Sequence, residues 1–500
     1  MARHINQGEI PLFFYGQSYM GSLDAMLVAL GFQVFGEEVW VIRLIQSLLY
    51  LGVLFTTVEV GKLAFQSRMV GLLAALFLAI PTVNVTLYTT ASLGGYGEAL
   101  LLGNVMLILG FGIARDVEKP NQDSQTRELR LIGWGFFFGF GLWVNGLTLV
   151  FSLPMGVYLL WMFIKHKGGF SLFTAMGLTL VGGIIGSSPW WFYAVQNGWH
   201  DLFLELSGSA IANVNQIPTG LIPFVHLYNL LLFGTTVTFG LRPPWSVAWL
   251  MLPLIPFVLM FWVGICGYVV QRIMPEEKSP QKAAVIAGVI AVTLVGFIFS
   301  PFGADPSGRY FVPLAIPLAL FAADLIIRLK RDRMWLAVGC TALVLIFNLG
   351  GIIQSVQRKP QGLTTQFDKV TRIDHRYDDE LISFLRGHGV RRGYTNYWVA
   401  YPLAFRSQEE LIFVPQLPYH QDFRYTSRDN RYDPYQQIVD SADHVAYITT
   451  NHPALDEYLR DQFKKKEIDW EYTEIGDYHI FYDLSRPLRP EEIGLGISTG

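Results

Sequence analysis

Nine apolar runs long enough to span a membrane fall near residues 38–60, 69–88, 97–114, 131–164, 173–193, 247–271, 283–302, 310–328 and 334–354. Lipid offers no hydrogen bonds, so a crossing segment must bond its own backbone, and a helix of roughly 20 apolar residues does so. A chain with nine such runs has one class of solution, a polytopic α-helical membrane protein. The 131–164 run is too long for one helix and is interrupted by Asn145-Gly146 and Pro154. It is expected to form two short helices turning at the far face, which makes about ten spans. Pro223, His226, Asn229 and the Arg242-Pro243-Pro244 turn make 221–245 a poor span. An interfacial helix fits it better. Composition agrees, at 52% hydrophobic residues with a mean hydropathy of +0.35. A net charge of −3 makes no case for nucleic acid.

Charge divides the chain and orients it. Residues 357–500 hold more than half of all Asp, Glu, Lys and Arg. The expected domains are a partial first outer loop at 1–37, a membrane body at 38–356 and a soluble domain at 357–500. With 1–37 outside, the inner loops hold fifteen cations, among them Arg68, Arg115, Lys119, Arg130, Lys167 and Lys330. The outer short loops hold three, Arg3, Arg242 and Arg309. That bias places the basic loops in the cytoplasm and the C-terminal domain outside the cytoplasmic membrane. Cys266 and Cys340 both lie in apolar runs, where core packing is expected.

Beyond Arg358 the pattern becomes that of a small α/β domain. Helices are expected at 378–388, capped by Asp378 or Asp379, and at 453–466. Strands are expected at 390–395, 410–415 and 444–450, with a hairpin at 470–484 turning at Gly476-Asp477. Aromatic and charged residues crowd 419–435, which suits either a sugar-binding surface or packing of this domain onto the membrane body. No metal-ligand spacing, nucleophile elbow or phosphate-cradling loop is present in the domain.

Ionisable groups at bilayer depth or in tight outer loops are costly and mark candidate sites. The stretch EIPLFFYGQSYMGSLDA at 9–25 is too polar to cross and carries Tyr15, Gln17 and Tyr19 ahead of Asp24. Helix capping is the structural alternative for Asp24, as it is for Glu98, which follows Leu-Gly-Gly-Tyr96-Gly at the mouth of a run. Arg309 stands beside Gly308 and Tyr310 against the charge bias, a placement suited to an anion such as a lipid phosphate. A salt bridge to Asp305 or Glu98 is its structural alternative. Glu37 and Glu38 are expected to cap the helix after them.

Several segments together resemble glycosyltransferase family 39 of the GT-C superfamily, bacterial integral-membrane enzymes that include protein O-mannosyltransferases and aminoarabinose transferases. They are FFYGQSYMGSLDA, LGGYGEALLL at 93–102, GLWVNGL at 141–147, GLRPPW at 240–245 and GRYFVPLAIPLAL at 308–320. The resemblance implies transfer of a sugar from a polyprenyl-phosphate-linked donor to a hydroxyl of a lipid, glycan or protein acceptor, with inversion, at the outer membrane face. It implies a carboxylate base, for which Asp24 and Glu98 are candidates, and cationic groups on the leaving phosphate. Arg309 and Tyr310 fit that second role, with Arg242 after them. Tyr15, Gln17, Tyr19 and Tyr96 would shape the sugar and acceptor pocket. Family members begin with a span followed by an acidic pair that holds the base and, in some, a divalent metal. MARHINQGE resembles the end of the short helix after that pair, as if the chain started late, and metal use stays open. A transporter or lipid flippase, or a non-catalytic scaffold of the same descent, are the competing readings. Transporters commonly show two related halves, and no such internal repeat is evident.

Overall fold

A computed structural model describes residues 1–118, 124–166, 171–206, 219–359, 362–366 and 370–497. It divides into two compact units, Met1–Phe14 with Ser18–Thr364, and Tyr15–Gln17 with Thr365–Gly500. Lys119 and Lys167 lie outside the described residues.

The first unit is helical. Seven of its helices are long and apolar enough to cross a membrane, and two bent pairs bring the number to nine among the described residues. Each expected run has its helix. The helix Ser124–Val144 supplies the first half of the 131–164 run, and Leu149–Lys165 the second. The chain breaks at Asn145, whose extended backbone and side chain cap the Gly146–Thr148 turn through the Leu147 N–H at 3.0 Å. Both helices are longer than expected. Pro154 does not break the second: it sits within the helix, and Gly288 on the Pro280–Phe299 helix leaves room for its ring.

Pro81 does break a run. Arg68–Ala79 and Val83–Thr90 meet at 80°, and the Asn348 side-chain amide donates to the Ile80 carbonyl at 2.8 Å near the bend. Two other helices, Ser124–Val144 and Leu172–Gly186, touch backbone to backbone. A Cβ on Gly182 or Gly186 would lie 2.0 Å from the Ile132 or Phe136 carbonyl oxygen. These are the small residues of close helix approach. Side chains such as Phe55, Val263 and Trp335 face outward, as they do on a surface covered by lipid. Cys266 is also exposed rather than packed in the core.

The 221–245 stretch forms one helical segment, Ile222–Thr238, with a π-helical turn at Leu230–Gly234. Its polar residues are tethers. His226 Nδ1 donates to the Ile298 carbonyl at 2.9 Å, and Asn229 Nδ2 to that of Gly303 at 2.9 Å. Gly234 admits the Phe311 ring, since a Cβ there would meet it at 2.5 Å. The helix thereby grips the segment that carries Arg309.

The second unit is an α/β domain around a five-stranded sheet. Strand order is 412–414, 392–394, 446–450, 478–482 and 471–475; the first three are parallel and the hairpin pair is antiparallel. One face packs Tyr447, Phe463 and Phe481, the other Leu385, Phe413 and Ile480. The expected strands and helices are present, and the hairpin turns at Gly476-Asp477. Two helices went unforeseen, Tyr397–Arg406 and Asp433–Asp440. Neither Asp378 nor Asp379 is a cap. Asp378 is buried, bonded to Tyr478 Oη at 2.5 Å and to Arg406 at 2.8 Å, while Asp374 caps the preceding turn.

Candidate active site

The helix Leu23–Phe35 carries Asp24 in its first turn, yet the carboxylate does not cap it. It turns to two other elements. Gln46 Nε2, on the Val39–Phe65 helix, donates to Oδ1 at 2.7 Å, and Ser92 Oγ donates to Oδ2 at 2.6 Å. Asp24 is 1% exposed, and burial raises its carboxyl to about 6 against the pull of these two bonds.

Within electrostatic range of Asp24 stands Glu98, in the first turn of the Tyr96–Glu118 helix. It too is 1% exposed, and neither oxygen has a hydrogen-bond partner beyond its own backbone amide. A buried carboxylate with no partner is costly, which marks Glu98 as a candidate functional group. The loop before it is held on both sides. Asn145 Nδ2 donates to the Gly94 carbonyl at 2.9 Å, and Met20 lies where a Gly94 side chain would be, at 2.6 Å from an added Cβ.

Two residues before Glu98, Tyr96 joins a second cluster. Its ring lies 5.2 Å from that of Tyr88. Both phenols stand within electrostatic reach of Arg309, and Tyr19 within reach of Tyr96 and Tyr310. Arg309 lies over the Tyr310 ring at 4.9 Å, its side chain 38% exposed. It is not a lone cation: it pairs with Asp305, the structural alternative. Its Nε is buried without a partner. Gly308 has φ +95°, and Asn84 Nδ2 donates to its carbonyl at 3.0 Å while Asn84 Oδ1 fills the space of a Cβ. Asn84, formally a glycosylation sequon, is a buried pin of this turn.

A carboxylate pair, and a guanidinium among phenols, thus stand at helix ends of a many-span body. Two solved structures share that architecture across nearly all of this chain. ArnT from Cupriavidus metallidurans in the apo state matches with a TM-score of 0.53 and 14% identity, over 96% of this chain and 91% of that one. The same protein bound to undecaprenyl phosphate matches with a TM-score of 0.50 and 12% identity, over 100% and 92%. The chain has the GT-C fold. No family model and no curated protein matches it in sequence.

Three of the expected site residues have other partners. Arg242 is no free phosphate ligand: its guanidinium donates to Thr236 Oγ1 at 2.9 Å and to the carbonyls of Phe233, Pro243 and Pro244 at 3.1–3.2 Å. It fastens the turn after the 222–238 helix. Tyr15 and Gln17 belong to the second unit, where Tyr15 packs on Tyr432 at 4.6 Å. Glu37 pairs with Arg3 at 2.7 Å instead of capping, and Glu38 occupies the cap position without a side-chain bond.

Gln46, Ser92, Asn84 and Asn145 were absent from the expected site. Gln46 and Asn84 each interrupt an apolar run, and a polar side chain inside a span is itself the signal. Among the described residues no three His, Cys, Asp or Glu are placed to hold a metal ion. The described residues therefore offer no set of ligands that fits the divalent metal left open by the resemblance.

Proposed function

We propose that this protein is an integral-membrane glycosyltransferase that moves a hexosyl or pentosyl group from a polyprenyl-phosphate-linked donor to an acceptor hydroxyl. The acceptor belongs to a lipid, glycan or protein, and transfer takes place with inversion at the outer face of the cytoplasmic membrane. The observation that carries this reading is the unpartnered Glu98 carboxylate, buried beside Asp24 and two residues from the Arg309 cluster. An undecaprenyl phosphate occupies a protein of the same fold, and a ligand of that class would suit Arg309.

Inversion needs a single in-line displacement. Glu98, with both oxygens disengaged, takes the acceptor's proton as its oxygen attacks the sugar's anomeric carbon. Asp24 is anchored by Gln46 and Ser92 and sets the field around Glu98, so its role is supporting. Negative charge grows on the departing phosphate, and the partly exposed Arg309 guanidinium meets it while Tyr310 and Tyr96 flank it. Tyr19 and Tyr96 offer faces and hydroxyls to the sugar. The excess of Lys and Arg in alternate loops supports an outward-facing site.

The test is radiolabelled transfer from polyprenyl-phosphate sugars in membranes carrying the full chain. Transfer that disappears in Glu98→Gln supports the reading. Absence of transfer from a panel of hexose and pentose donors, with acceptors of all three classes present, overturns it.

A further inference from the structure

A groove of about 580 Å³ runs between the helices Arg68–Ala79, Ala315–Asp332 and Met334–Gln357, on the first unit. That volume lies within the usual range of ligand sites. Its walls are aliphatic, with Leu72, Leu76, Ile327, Val338 and Leu345 prominent. The hydroxyl of Thr341 in the wall is already committed to the Ala337 carbonyl at 2.9 Å. One charged side chain, Lys330, lines it.

Cations gather at that end. Arg68 precedes the lining residue Met69, and Arg331, Asp332 and Arg333 lie between Lys330 and the lining residue Met334, so this end carries four cations against one carboxylate. All four are exposed, and none has an ion pair among the described residues. Elsewhere near the same helix end cations are committed: Arg328 pairs with Glu277 at 2.8 Å and Arg272 with Asp324 at 2.9 Å. The groove therefore offers an apolar slot and, at one end, unpaired positive charge. Charge asymmetry puts this end among the basic loops, the side that faces anionic lipid in a cell membrane.

We propose that this groove is a binding site for an anionic phospholipid, its acyl chain lying along the aliphatic walls and its phosphate on Lys330 and the neighbouring arginines. The site is separate from Asp24, Glu98 and Arg309 and does not depend on the chemistry proposed for them. Each cation near a membrane surface contributes about 1 kcal/mol to binding an anionic lipid, which is about fivefold in affinity.

Native mass spectrometry of the purified full chain, equilibrated in mixed micelles with phosphatidylglycerol, phosphatidylcholine or undecaprenyl phosphate, tests this. Phosphatidylglycerol is expected to be retained above phosphatidylcholine. Lys330→Gln should weaken that retention about fivefold, and Arg331→Gln with Arg333→Gln should weaken it further. Ala342→Trp, which fills the slot without altering charge, should abolish it. Equal retention of the two phospholipids overturns the proposal, as does retention unchanged in both the charge and the slot variants. Displacement of phosphatidylglycerol by equimolar undecaprenyl phosphate also overturns it, because the slot would then belong to a polyprenyl chain.

Discussion

Replacing Arg309 by Ala separates its structural work from its proposed role with the donor. The side chain holds Asp305, lies on Tyr310 and has a buried Nε without a hydrogen-bond partner. Losing it does not strand Asp305 entirely, because Asp305 Oδ1 also accepts the Ser307 N–H at 2.9 Å. The turn is further pinned by Asn84. The variant is therefore expected to insert and fold. A hydrogen bond to a charged group contributes about 1.5–3 kcal/mol. At 38% exposure the lower end applies, which predicts roughly tenfold weaker binding of a polyprenyl-phosphate sugar. The companion change Asp305→Asn keeps the Ser307 bond and releases Arg309 from its competitor, so it is expected to bind donor at least as tightly as the wild type. The assay is donor titration of purified protein in micelles, followed by tryptophan fluorescence. Unchanged affinity in Arg309→Ala, or affinity lost in Asp305→Asn, would refute the phosphate role.

Two further predictions concern the scaffold. Gly182→Ala drives a Cβ to 2.0 Å from the Ile132 carbonyl oxygen, so the two helices must separate, at about 1–3 kcal/mol. Gly177→Ala on the same helix meets nothing within 4 Å and should be neutral or stabilising; equal melting temperatures in detergent would contradict this account of the packing. In the second unit, Asp456 bonds His479 at 2.6 Å and raises its imidazole above the usual 6.5, with Glu474 adding and both burial and Arg460 opposing. A raised histidine stabilises the fold fully below its unfolded pKa and loses that contribution as pH rises through the folded value. The protection factor of strand 478–482, corrected for the intrinsic rise of exchange with pH, should therefore fall as pH climbs above the usual 6.5 and through the raised value. His479→Gln should flatten that fall, and an unaltered profile would count against it.

Much of the fold was legible because apolar length and charge asymmetry act on whole segments. Each run found its helix, and the Asn145 break was visible because Asn-Gly both caps and interrupts. Pro154 was misjudged because its fit depends on Gly288, 134 residues away, which no local pattern reveals. The site was legible by residue type and not by partner. Asp24, Tyr19, Glu98, Tyr96, Arg309 and Tyr310 stood out as polar groups in an outer loop or at span mouths; the structure puts Asp24 within electrostatic range of Glu98, and Arg309 within range of Tyr96 and Tyr310. Arg242 had the same local appearance, and only the carbonyls that converge on it reveal a tether. Tyr15 and Gln17, four and two residues before Tyr19, pack with the second unit, a division that sequence proximity conceals.

The most direct measurement is single-turnover release of polyprenyl phosphate by the purified chain preloaded with a polyprenyl-phosphate sugar and given acceptor. Glu98→Gln keeps the shape of the side chain and removes its basicity. The account predicts that this variant binds donor as the wild type does and releases no polyprenyl phosphate. Release at the wild-type rate would contradict it.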